Sequence, residues 1–103
     1  MKNIQSRIKA FCDKHRLGDS PEHRTLDLVS EVGEFSKEIL KATSYGKTKV
    51  SATPAMEDEL GDVLFSLITL ANSLDVDLEA ALEKALIKYR KRAERGGIGS
   101  ENE

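Results

Sequence analysis

Apolar residues recur at every third or fourth position along almost the whole chain, and nowhere do they alternate with polar residues over a useful length. That period belongs to helices burying one stripe, and the missing period of two excludes a half-buried sheet. The pattern predicts an all-α fold of four helices. The first covers about residues 3–15, with Ile4, Ile8 and Phe11 on one face, and "LGDSPE" ends it. Ser20 followed by Pro21 is an N-cap with proline at the first helical position, a strong start signal. The second helix runs from there to about residue 43 and carries Leu28, Val32, Phe35 and Ile39. "SYGKTKVSAT" is a polar loop. Thr53 and Pro54 repeat the start signal and open a third helix, ending near residue 74, with Leu60, Val63, Leu64, Leu67, Ile68 and Ala71. Asp77 caps the fourth, which carries Leu78, Ala81, Leu82, Ala85, Leu86 and Tyr89. "GGIGSENE" after Arg95 reads as a C-cap and a frayed tail.

Short connections between helices two and three, and three and four, make them antiparallel neighbours in a four-helix antiparallel bundle. A chain of 103 residues is one domain, here residues 1–95 with a flexible C-terminal tail at 96–103. There is no Trp, so Leu, Ile, Val and Ala must fill the core. Helices two and three offer more apolar surface than so short a chain can cover. The bundle is therefore expected to be completed by oligomerisation, as a homodimer or homotetramer.

A formal net charge of -2 argues against a dedicated nucleic-acid binder. The N-terminus lacks the continuous apolar run of a signal peptide, and "VLFSLITLA" is too short to span a bilayer. A cytoplasmic protein without membrane partners is expected. The single cysteine, Cys12, has no internal disulfide partner and is expected to be a buried thiol.

Carboxylates are gathered where a core should be dry. Asp27, Glu31, Glu34 and Glu38 form a stripe on helix two, offset by one residue from the apolar stripe. Glu59 and Asp62 sit beside Leu60 and Val63 on helix three. Glu34 and Glu38 repel at i,i+4, and Glu31 and Glu34 at i,i+3. Lys37 and Lys41 can partner Glu34 and Glu38, but no Lys or Arg lies anywhere from Val50 to Glu83, a stretch holding eight acids. A solvated face laced with ion pairs would not be written this way. A bound cation would supply the missing charge. Oxygen ligands without Cys or His select magnesium or manganese over zinc. The Glu-x-x-His pairs of di-iron bundles and the calcium loop of EF-hands are both absent, and His15 and His23 read as surface or loop residues. Magnesium held by a few carboxylates commonly keeps positions open for water and substrate phosphates. On helix four, Lys84, Lys88, Lys91 and Arg95 form a basic stripe joined by Arg92. It is either a solubilising face matched to the helix C-terminus or a phosphate-binding surface. Periodicity reaches a helical bundle, a divalent metal and a phosphorylated ligand, and stops.

Glu-x-x-Glu, a gap, then Glu-x-x-Asp resembles the MazG-like all-α nucleoside triphosphate pyrophosphohydrolases. "LVSEVGEFSKEIL" and "EDELGDVLFSLITLAN" look like that family's two motif helices, and "DVDLEAALEKALIKYRKR" like the helix that follows. The resemblance implies cleavage of an NTP or dNTP between the α and β phosphates, giving monophosphate and pyrophosphate. Phosphoribosyl-ATP pyrophosphohydrolase, which shares fold and chemistry, is the alternative substrate reading, and a helical interaction module with a degenerate site is the non-catalytic one. By the same resemblance Glu31, Glu34, Glu59 and Asp62 are metal-binding and catalytic positions for Mg²⁺, with Mn²⁺ as a substitute. Lys84, Lys88 and Arg92 match basic positions assigned to the triphosphate, and Asn72 is a possible polar contact. Ser30 stands where many members carry a further Glu that helps activate the water. Glu34 or Glu38 would assist the metal in that role here. Gly61, within the second motif, suggests close approach of another helix.

Overall fold

The computed structural model describes residues 1–18 and 20–96. Among them are four helices and no strand: α1 (Lys2–Lys14), α2 (Pro21–Ala42), α3 (Pro54–Ser73) and α4 (Leu78–Glu94). The start signals work as the sequence dictates. Ser20 Oγ accepts from the His23 amide at 3.3 Å, and Thr53 Oγ1 from the Met56 amide at 3.2 Å. Asp77 Oδ1 accepts from the amides of Glu79 and Ala80 at 2.9 and 3.2 Å. Each satisfies an amide the helix cannot pair internally, and a proline at the first position of α2 and α3 removes one such donor altogether. Gly96, with φ of 97°, is the predicted glycine stop: its amide returns to the Ala93 carbonyl. The rest of the expected tail lies outside the described residues.

α2 and α3 pack along one another as a helical hairpin, and α1 lies antiparallel against the C-terminal half of α3. Phe11 of α1 meets Phe65 of α3 edge-on, with ring centroids 6.2 Å apart. The inward face of α1 is rotated from the expected one. Gln5 is buried and Ile8 and Cys12 are half-buried, while Ile4 and Phe11 are 41% and 47% exposed. Cys12 is therefore not the fully buried thiol its spacing suggested. Nor does α4 run along α3. Extended packing is confined to α2 with α3 and α1 with α3, and α4 departs from the turn after α3 making only scattered contacts. The short connection fixes where α4 starts, not where it points.

The core of a single chain is thin. Among the described residues only Met56, Ile68 and Ala71 are buried apolar residues, while Leu60, Leu64 and Leu67 on α3 and Leu82, Leu86 and Tyr89 on α4 stay substantially open. The accessible surface is 7771 Å² for 11.4 kDa. A compact monomer of that mass would expose about 5,800 Å². The radius of gyration is 16.6 Å, against about 13 Å for a compact domain of this length.

Candidate functional site

The hairpin of α2 and α3 brings the two carboxylate motifs face to face. Glu31, Glu59 and Asp62 each offer an oxygen, and these oxygens lie within 4.8 Å of one another. Helix geometry explains the match. Glu59 and Asp62 are three residues apart and project from one side of α3. Glu31 meets them from the middle of α2, where the hairpin is already closely packed. Glu31 and Glu59 are half-buried and Asp62 is exposed. Glu59 bears the greatest strain. Its Oε2 is buried without a hydrogen-bond partner. Burial first, then the charges of Glu31 and Asp62, a hydrogen bond with Glu31 and the charge of Glu34 push its carboxyl above the ordinary range. Each of these influences makes the cluster receptive to positive charge. A buried anionic oxygen lacking a partner, in a set of oxygen donors alone, fits a hard divalent cation.

The other predicted residues are placed differently. Glu34 is exposed, one turn along α2, and outside the triad of close oxygens; Lys37 lies 3.8 Å from it, the i,i+3 partner expected. Its charge still reaches Glu59. Glu38 is half-buried a further turn away on the same stripe. Asn72 is engaged elsewhere. Its Oδ1 accepts from Gln5 Nε2 at 3.1 Å and its amide donates to the Gln5 carbonyl at 3.0 Å, so it ties α1 to α3 rather than facing the carboxylates. Lys84, Lys88, Lys91, Arg92 and Arg95 line one shallow cavity on α4 with Ile87, and Lys88 and Arg92 flank the Tyr89 ring at 5.1 and 5.4 Å. Because α4 diverges, this basic surface is not packed onto the acidic cluster of its own chain. Among the described residues no other helix comes within 4 Å of the place a Gly61 Cβ would occupy, so no approach by α1, α2 or α4 explains it. The residue that sequence reading missed is Gln5. A single amide on an apolar stripe gives no signal beyond its sharing of that stripe with Ile8 and Cys12.

Motif order and the facing carboxylates agree with comparison to known proteins. The MazG nucleotide pyrophosphohydrolase domain matches residues 19–96. The chain belongs to the MazG nucleotide pyrophosphohydrolase family. YpjD of Bacillus subtilis is 38% identical over 96 residues, which span 89% of this chain and 85% of YpjD. The Gene 37 protein of Mycobacterium phage L5 is 34% identical over 76 residues, 72% of this chain and 67% of that one. The nucleoside triphosphate pyrophosphohydrolase MazG of Thermotoga maritima is 49% identical over 37 residues, 36% of this chain and 14% of that protein. The crystal structure of YpjD, proposed to be a pyrophosphatase, superposes with a TM-score of 0.73, covering 89% of this chain and 94% of that one. MazG membership makes this chain a nucleotide pyrophosphohydrolase with a divalent-cation site. None of its described helices is long and apolar enough to cross a membrane.

Proposed function

We propose that this MazG domain hydrolyses a nucleoside or deoxynucleoside triphosphate between the α and β phosphates, releasing the monophosphate and pyrophosphate, with Mg²⁺ as its cation. The observation that carries the reading is the buried, unpartnered oxygen of Glu59 inside the Glu31, Glu59 and Asp62 cluster. These three, with Glu34 alongside, would hold the cation. When bound, such an ion supplies Lewis acidity toward phosphate oxygens and makes a nearby water more acidic. The chain's own groups do the rest. Glu34 or Glu38 takes the proton of the attacking water, since Ser30 offers no carboxylate. Water adds to the α-phosphorus, and the bridging oxygen departs with pyrophosphate. Lys84, Lys88 and Arg92 balance the charge of the triphosphate.

The working form is a homo-oligomer, a dimer at minimum. The surface in excess of a compact monomer, about 2,000 Å² per chain, is what an obligate interface of 2,000–5,000 Å² in total requires. A substrate panel tests the activity. NTPs, dNTPs and phosphoribosyl-ATP are incubated with Mg²⁺ and scored for pyrophosphate, with a chelator control. Pyrophosphate from NTPs or dNTPs, abolished by chelation, is expected. Release of orthophosphate and a diphosphate, or full turnover in excess chelator, would refute it.

A further inference from the structure

We propose that Gln5 is a positioning residue: it sets the direction in which α4 leaves the hairpin, and so the placement of α4's basic surface relative to the carboxylate cluster. The role rests on the reading of that surface as phosphate-binding. Gln5 is 8% exposed, and both ends of its side-chain amide are engaged. Nε2 donates to Asn72 Oδ1 at 3.1 Å and to the Val76 carbonyl at 2.9 Å, and Oε1 accepts from the Leu78 amide at 2.9 Å. One side chain on α1 thus grips the last turn of α3, the connecting turn and the first residue of α4. Asn72 answers by donating to the Gln5 carbonyl at 3.0 Å.

The grip completes the capping of α4. A helix begins with four amides that have no partner within it. Here Gln5 takes the first, at Leu78, and the Asp77 side chain takes those of Glu79 and Ala80. The Ala81 amide then makes the first regular helical bond, to the Asp77 carbonyl at 3.0 Å. Of these acceptors only Gln5 lies outside the turn and the helix, and the one other tie at the root of α4 is an exposed ion pair, Met1 ammonium to Glu79 Oε1 at 2.9 Å. Beyond its root α4 makes no extended contact with α1, α2 or α3. It has 17 residues, a lever of about 25 Å. A tilt of about 10° at the root moves Arg92 by roughly 4 Å, more than the reach of a hydrogen bond. The turn itself is bent by Asp75 at φ of 54°, and the Val76 carbonyl it exposes is the one Gln5 takes.

Two full-length variants test this, Gln5→Leu and Gln5→Leu/Asn72→Leu. The second leaves neither side chain of the buried pair with an unpaired amide, so it keeps the question answerable if the single variant folds poorly. Residual dipolar couplings measure the angle between α3 and α4, and steady-state kinetics give KM and kcat for the triphosphate. In both variants we expect the angle to change by about 10° or the α4 couplings to average down. KM should rise about tenfold, the effect of one weakened charged hydrogen bond, with kcat within about twofold. The double variant should recover melting temperature lost by the single one without recovering angle or KM, which a purely structural role would not produce. An unchanged angle in both variants overturns the proposal, and so does a changed angle with unchanged KM. Should the wild type cleave no triphosphate, the hydrolase reading fails, and the angle alone still decides whether Gln5 places α4.

Discussion

Leu60, Leu64 and Leu67 occupy one stripe of α3 and are 51%, 43% and 37% exposed in the single chain. If a second copy covers them, replacing two by glutamine should weaken assembly by a calculable amount. Full burial of a leucine side chain contributes about 1.5–3 kcal/mol. With roughly half of each left open, its covering by a partner is worth about 1 kcal/mol. In a two-fold symmetric interface every substitution counts twice. Leu60→Gln with Leu64→Gln therefore removes about 4 kcal/mol of association, raising the dissociation constant about a thousandfold. Sedimentation equilibrium over a dilution series reads this directly, with circular dichroism checking that helix content at high concentration is kept. We expect the wild type to be oligomeric at micromolar concentration and the double variant to dissociate there. A wild type that is a monodisperse 11.4 kDa monomer, or a variant with an unchanged dissociation constant, would refute the reasoning.

Glu59→Gln should abolish turnover by orders of magnitude yet melt no lower than wild type when metal-free. The sign follows from its raised pKa. Below the ordinary glutamate pKa both folded and unfolded chains are protonated and Glu59 contributes nothing. As pH rises from there through the raised folded value, the folded state gives up a proton the unfolded state has already lost, so wild-type stability falls with pH while the variant's does not. Melts of both proteins from pH 4 to 8 should coincide at the acid end and separate toward neutrality; a variant less stable throughout would exclude the crowded-carboxylate account. Mg²⁺ at about ten times its dissociation constant should stabilise wild type by about 1.4 kcal/mol, or about 6–11 °C, and Glu59→Gln by much less. Gly61→Ala should raise the melting temperature, since an open helical position gains about 1 kcal/mol from alanine. A lower melting temperature would mean that a second copy packs on that spot.

The helices and their starts were legible because local chemistry decides them: Ser20–Pro21, Thr53–Pro54 and Asp77 cap wherever the chain then goes. The pairing of Glu31 with Glu59 and Asp62 was legible for a similar reason, since two spaced motifs on hairpin-connected helices have few ways to miss each other. What could not be read was orientation between elements. Ile4 and Phe11 looked like core by spacing alone, whereas the rotation of α1 about its axis is set by one buried amide, that of Gln5, finding Asn72, Val76 and Leu78. Asn72 was offered to the substrate by its place near the end of α3, yet its partner lies 67 residues away in sequence. The course of α4 is likewise fixed by a contact at its root.

If the working form is the proposed oligomer, a chain whose described residues bury only Met56, Ile68 and Ala71 as apolar core has little to hold it together between synthesis and assembly. Its helices can form early, since their caps are local, but the solitary chain remains open to proteolysis. Survival then depends on meeting another copy before a protease does. The rate of that encounter rises with the square of the chain concentration, whereas cleavage rises only with its first power. Abundance in a cell would consequently respond to expression in a threshold manner, with weak synthesis yielding almost no lasting enzyme.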